Sequence, residues 1–130
     1  MSLLSDSRIL LVEDEFLLAT DLAQALAAQG AEVLGPIATL AEAQQMLAGE
    51  PVDCAIVDIN LQGTMAFPLL AALRDEGVPA LVISAYPVDV LPPEHRGVSF
   101  LAKPSPIALT LQMVELLLRG EVHERMPQDG

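Results

Sequence analysis

The strongest constraint on this chain is an alternation of two patterns. Short apolar runs recur at Ile9 to Val12, Glu32 to Leu34, Cys54 to Val57, Leu81 to Ile83 and Ser99 to Ala102. Runs this short and continuous read as strands buried on both faces, not as strands with one wet face. Between them lie segments with helical spacing. The first spans 15–29, carries Leu18, Leu22 and Ala25 on one face and stops at Gly30, a C-cap residue. The second runs from Thr39, an N-cap residue, to Ala48. The third spans 64–76, and Pro68, at home in a first turn, allows it to begin later than Thr64. The last runs from Ser105 to Arg119 and stops at Gly120. Buried strands joined by helices predict an α/β fold, with a doubly wound five-stranded parallel sheet covered on both faces.

One link in this pattern is weak. Residues 86–97 occupy the place of a fourth helix but contain Pro87, Pro92 and Pro93. Proline inside a helix removes a hydrogen bond and clashes with the preceding turn. A short or irregular helix is expected there.

Composition narrows the function. The 130 residues suit one domain, over 1–120, with a polar tail or trimmed linker over 121–130. Hydrophobic residues make up 52% and aromatic residues 3%, so the core must be aliphatic. The net charge of −12 argues against nucleic-acid binding and suits a divalent cation. The single Cys54 lies in an apolar run and reads as a small core residue in a reducing compartment. No stretch has membrane-spanning length, and the N-terminus lacks signal-peptide features, so a cytoplasmic location is expected.

In open parallel sheets, ligands bind beyond the carboxyl ends of the strands. The chemistry of this chain collects there. Glu13, Asp14 and Glu15 follow the first strand, Asp58 and Asn60 the third, Ser84 the fourth, and Lys103, the only lysine, the fifth. Each residue alone has a bland reading. Acids after a strand favour the next helix through its dipole, an Asp starts a turn, and a lone Lys is commonly a solvated charge. The joint placement at four strand ends is the stronger signal. Converging carboxylates repel one another unless a cation joins them, and Mg²⁺ accepts oxygen ligands of this kind. A carboxylate can also take up a phosphoryl group as an aspartyl phosphate.

With these residues in view, the sequence resembles the receiver domains of two-component response regulators, from Arg8 to Arg119. The motifs are Ile-Leu-Leu-Val-Glu-Asp-Glu at 9–15, Ile-Val-Asp-Ile-Asn-Leu at 56–61, Val-Ile-Ser-Ala at 82–85 and Phe-Leu-Ala-Lys-Pro at 100–104. The resemblance implies a flavodoxin-like strand order of 2-1-3-4-5. It makes Asp58 the phosphoacceptor and Glu13, Asp14, Asp58 and the Asn60 carbonyl the Mg²⁺ site. It makes Ser84 and Lys103 phosphoryl-sensing, Phe100 the switch aromatic and Pro104 a cis-proline candidate. It also implies a sensor histidine kinase or phosphotransfer protein as donor, and a protein-binding output.

The departures matter as well. Glu13 stands where Asp is commoner, and Phe100 where Tyr is commoner. The Met-Pro usual after the phosphoacceptor region is replaced by Leu61-Gln62-Gly63. The proline-rich 86–97 segment points to an atypical single-domain receiver. In the last helix, Ile107, Leu111, Val114 and Leu118 form the expected inward stripe. Leu109, Met113 and Leu116 lie opposite, as candidates for a homodimer contact. Three alternatives stay open: a fragment of a larger regulator or hybrid histidine kinase, an interaction module with a vestigial site, and a small aspartyl-phosphate phosphatase. Against the last, such enzymes tend to need an Asp where this chain has Asn60.

Overall fold

The structure is a computed structural model, and it describes residues 3–120. Five parallel strands form one sheet: β1 (Arg8–Val12), β2 (Glu32–Ile37), β3 (Cys54–Asp58), β6 (Ala80–Ser84) and β7 (Ser99–Ala102). Their order is β2-β1-β3-β6-β7, the doubly wound arrangement expected. A small antiparallel hairpin, β4 (Asn60–Leu61) and β5 (Thr64–Met65), stands apart from the sheet. Four helices complete the fold: α1 (Phe16–Ala28), α2 (Leu40–Gly49), α3 (Phe67–Asp75) and α4 (Ile107–Arg119). The expected tail over 121–130 lies outside the described residues.

Strand alternation sends side chains to opposite faces, and so divides the core in two. Leu10, Val12, Ala55, Val57 and Val82 pack beneath α2 and α3. Ile9, Leu11, Cys54, Ile56 and Ile83 pack beneath α1 and α4. Burying one such aliphatic side chain stabilises the fold by about 1.5–3 kcal/mol. Cys54 is a core residue, and burial pushes its thiol up to about 12, which removes it from thiolate chemistry.

Several boundaries differ from the sequence expectation. Strand β2 continues through Gly35 and Pro36 to Ile37, beyond Leu34. Pro36 is tolerated because β2 is an edge strand, and the register shifts there, between Leu10 and Val12. Gly35 has φ +124°, and a Cβ on it would lie 2.6 Å from the Leu11 carbonyl oxygen, so no other residue fits. Helix α3 begins at Phe67, because residues 60–65 are taken by the hairpin, whose turn holds Gln62 and Gly63 at φ +54° and +91°. Two left-handed central residues are what a tight hairpin turn requires.

The 86–97 segment forms two 3₁₀ turns, Val88–Val90 and Pro93–His95, in place of an α-helix. Arg96 holds them together, donating to the carbonyls of Leu91 at 2.9 Å and Asp89 at 3.2 Å, while Leu91 is fully buried. Helix α4 corrects the expected seam. Its buried residues are Thr110, Val114 and Leu117, while Ile107, Leu111 and Leu118 flank them, half-buried. Met113 packs against the core instead of facing away from it. The outward apolar candidates reduce to Leu109, which is exposed, and Leu116, which is half-buried. Among the described residues no helix is long and apolar enough to cross a membrane.

Candidate functional site

The sheet register creates the site. Val12 pairs with Val57, Asp58 with Ile83, and Ser84 with Ala102, so four neighbouring strands end at one level. The residues that follow or close those strands meet at this rim. Glu13 is tied to the sheet by its N–H, which donates to the Ile37 carbonyl at 2.9 Å. Its Oε2 accepts from the Glu15 N–H at 2.9 Å, which turns the side chain inward. Asp58 is nearly buried, and its Oδ1 accepts from the Asn60 N–H at 3.1 Å. Asp14 is half-buried, and its Oδ2 accepts from the Gln62 N–H at 2.9 Å. The hairpin therefore holds one acid of the rim in place.

Lys103 draws the rim together. Its Nζ lies 3.0 Å from Asp58 Oδ2, 3.0 Å from Glu13 Oε1 and 2.7 Å from Glu15 Oε1. Its backbone N–H donates to the Ser84 carbonyl at 2.8 Å, and the Lys103–Pro104 peptide is cis, as is Gly35–Pro36. Burial alone would push the ammonium down, but hydrogen bonds to Glu15 and Asp58, with the charge of the adjacent Glu13 carboxylate, outweigh it and hold Lys103 above its ordinary value. Glu13 moves up as well, to about 7. Desolvation by burial is the main cause, with the Asp58 charge adding to it, against the hydrogen bond from the Glu15 N–H and the ion pair with Lys103.

The rim fits a small divalent cation. Glu13, Asp14 and Asp58 each offer a carboxylate oxygen, and these oxygens lie within 4.8 Å of one another. Glu13 Oε1 is buried and, although it pairs with the charge of Lys103, receives no well-directed hydrogen bond. A buried anionic oxygen in that state is open to an additional ligand. One lysine cannot neutralise three converging carboxylates, whereas a hard cation with oxygen preference can.

Ser84 is fully buried at the end of β6, and its Oγ accepts from the Tyr86 N–H at 2.9 Å. Phe100, half-buried, packs against the core on the α2 and α3 side. Three participants were not anticipated from the sequence: Glu15 as a partner of Lys103, Gln62 as a support for Asp14, and Tyr86. The Tyr86 hydroxyl accepts from Asn60 Nδ2 at 3.1 Å, and Asn60 Oδ1 accepts from the Gly63 N–H at 2.8 Å. Only Glu15 had a signal, its place beside the acidic pair. A cavity of about 390 Å³ opens beside Lys103, bounded by Glu15, Leu18, Leu22, Ile83, Pro104 and Thr110.

Comparison with known proteins agrees with this geometry. Residues 9–115 match the response regulator receiver domain family. No curated protein matches the sequence significantly. The fold is similar to a response regulator receiver domain protein from Methanospirillum hungatei JF-1, with 24% identity, TM-score 0.77, and coverage of 90% of this chain and 97% of that one. It is similar to SdrG from Sphingomonas melonis Fr1, with 28% identity, TM-score 0.73, and coverage of 90% and 99%. It is also similar to the receiver domain of the hybrid histidine kinase CckA, with 31% identity, TM-score 0.71, and coverage of 86% and 99%. With most of its length matched and the five-stranded order in place, the chain belongs to the response regulator receiver domain family.

Proposed function

We propose that the chain is a phosphorylation switch whose acceptor is Asp58. The observation that carries this reading is the position of Lys103, one ammonium 3.0 Å from the buried Asp58 and 3.0 Å from Glu13, beside a cluster of acids able to hold a cation. An Asp58 carboxylate oxygen would attack phosphorus in line, forming the P–O bond of an acyl phosphate as the P–N bond to a donor imidazole breaks. The imidazole nitrogen leaves with the bonding pair. Transfer of this kind depends on positioning and on neutralising the phosphoryl oxygens.

The chain's residues divide those tasks. Lys103 pairs with one phosphoryl oxygen. The Ser84 hydroxyl, whose oxygen already accepts from Tyr86, retains its hydrogen to donate to another. Glu13, Asp14, Asp58 and the Asn60 carbonyl would hold Mg²⁺, which supplies positive charge for the phosphoryl oxygens. Phe100 lacks a hydroxyl, so any inward movement is a change of packing alone. The donor is a sensor histidine kinase or a phosphotransfer protein, and the receiver unit is residues 1–120.

Output is a protein contact. Leu109 and Leu116 of α4 are the apolar positions available for a homodimer, and light scattering that finds a monomer at high concentration with and without beryllofluoride excludes it. Phosphatase turnover is disfavoured because Asn60 is an amide engaged with Tyr86 and Gly63, without an acid to protonate a leaving group. The direct test is incubation with acetyl phosphate and Mg²⁺ followed by intact-mass measurement. Phosphoryl uptake is expected in the native chain and lost on chelation. Uptake by Asp58→Asn at the native rate overturns the assignment.

A further inference from the structure

The side chain of Glu15 has no role in the switch as described so far, yet it makes the shortest contact Lys103 has. Glu15 is the N-cap residue of α1, and a carboxylate there would ordinarily cap its own helix. It does not, for its side chain makes no cap hydrogen bond. It crosses instead to Lys103, 88 positions away, at 2.7 Å. An ammonium has three N–H donors. Lys103 Nζ donates to Glu15 and Asp58 and lies in ion-pair contact with Glu13, so an arriving phosphoryl oxygen competes with these carboxylates for the ammonium.

The three are not equally free to give way. The Glu13 side chain is fully buried and accepts from the Glu15 N–H, and Asp58 is the residue being modified. The Glu15 side chain is 62% exposed and can turn into water without leaving a buried charge behind. It also borders the cavity beside Lys103, so its movement needs no repacking of the core. A phosphoryl group on Asp58 would meet the Glu15 carboxylate as a like charge close to the ammonium both require.

We infer that Glu15 is a latch on Lys103: it holds one of the two side-chain hydrogen bonds of the ammonium in the unmodified chain and must yield it to the phosphoryl oxygen, a competition that weakens phosphoryl binding. This rests on the reading of Asp58 as phosphoacceptor. Glu15 is a positioning residue, since it acts through Lys103.

Lys103 is the only lysine, so selective ¹⁵N-lysine labelling gives one side-chain resonance to follow. Beryllofluoride with Mg²⁺ is the phosphoryl probe, titrated into the native chain, Glu15→Gln, Glu15→Ala, and Asp21→Asn as a charge control on the exposed face of α1. Both Glu15 variants are expected to bind the probe about two- to fivefold more tightly, the range an exposed ion pair spans. Asp21→Asn is expected to match the native chain. The Nζ resonance should differ between native and Glu15→Gln proteins before the probe is added, and converge at saturation. Unchanged affinity in the Glu15 variants, or tightening equal to that of Asp21→Asn, overturns the latch while native binding leaves Asp58 in place. A native chain that binds no better than Asp58→Asn overturns both.

Discussion

The two ends of the β-sheet each gather one cation among several carboxylates, and they use the arrangement differently. At the amino ends of the strands, Arg8 pairs with Glu32 at 2.8 Å and Glu50 at 2.5 Å, and its N–H donates to Asp53 at 2.8 Å. The side chains of Glu32 and Glu50 are 58% and 48% exposed. Water carries most of the charge there, and the guanidinium serves as a clamp on the β1 end of the sheet. At the carboxyl ends, Lys103 faces Glu13 and Asp58, whose side chains are 0% and 8% exposed. The count of charges is similar, but Glu13 and Asp58 are withdrawn from solvent, and Glu15 alone of the three partners of Lys103 stays exposed. Burial, not the number of acids, separates a rim suited to binding and reaction from a rim that only fastens.

The sharpest way to break this comparison is to remove the proposed acceptor. Asp58→Asn is expected to abolish the phosphoryl mass gain from acetyl phosphate, while Arg8→Ala leaves it near the native rate. If Arg8→Ala also lost uptake with the fold intact, the two ends would not be functionally separate. The next effect in size is on stability. Lys103→Ala strips from the buried carboxylates the only cation paired with them among the described residues, a change that costs about 3 kcal/mol. Urea unfolding near pH 8 without Mg²⁺ measures it. Adding Mg²⁺ should recover part of the loss, because a cation on the same carboxylates replaces some of the missing charge. A loss unaffected by Mg²⁺ would place the cation elsewhere.

The carboxyl-end rim was legible in the sequence because it is a property of strand ends. Continuous apolar runs locate the strands, and the residues that close or follow them then line the candidate site, as Asp58 and Lys103 illustrate. What was not legible depends on contacts that sequence spacing does not encode. The hairpin over 60–65 has two-residue strands, and its turn carries Gln62 at a positive φ, where Asn, Asp or Gly is the usual sign. Strand β2 crosses Gly35-Pro36, a pair that normally ends a strand, and survives because it lies at an edge. The seam of α4 was displaced because its buried line includes Thr110, which a count of apolar positions passes over. The Glu15 contact joins the segments that follow the first and fifth sheet strands through side chains alone.

A third prediction uses pH to sharpen the difference in burial. Glu13 has an ordinary value of 4.5 and is raised to about 7 in the fold, chiefly by desolvation. The folded chain therefore holds this proton more tightly than the unfolded chain. By linkage, the Glu13 contribution to stability is most favourable below 4.5, falls as pH rises from 4.5 to about 7, and is level above that. Subtracting the stability profile of Glu13→Gln from that of the native chain isolates this fall, measured without Mg²⁺. Mg²⁺ affinity should follow the opposite course, rising as pH approaches 7 and the proton leaves. A difference profile flat across this window would mean that Glu13 is solvated in the way Glu32 and Glu50 are.

The smallest expected effect belongs to the other end. Arg8→Ala should cost about 1 kcal/mol, because its carboxylate partners are half in water and the guanidinium is largely repaid for its pairs by solvent. Part of that cost is not ionic, for Arg8 Nε also donates to the Pro51 carbonyl at 2.8 Å. Salt separates the two parts. Raising ionic strength screens the exposed pairs and should shrink the Arg8→Ala difference toward that single hydrogen bond. The Lys103→Ala difference, set among buried groups, should shrink much less over the same range. Urea titrations of both variants at low and high salt make the comparison directly. Equal salt sensitivity at the two ends would mean that water reaches the Lys103 rim as freely as it reaches Arg8, and the contrast in burial would no longer support the proposed contrast in function.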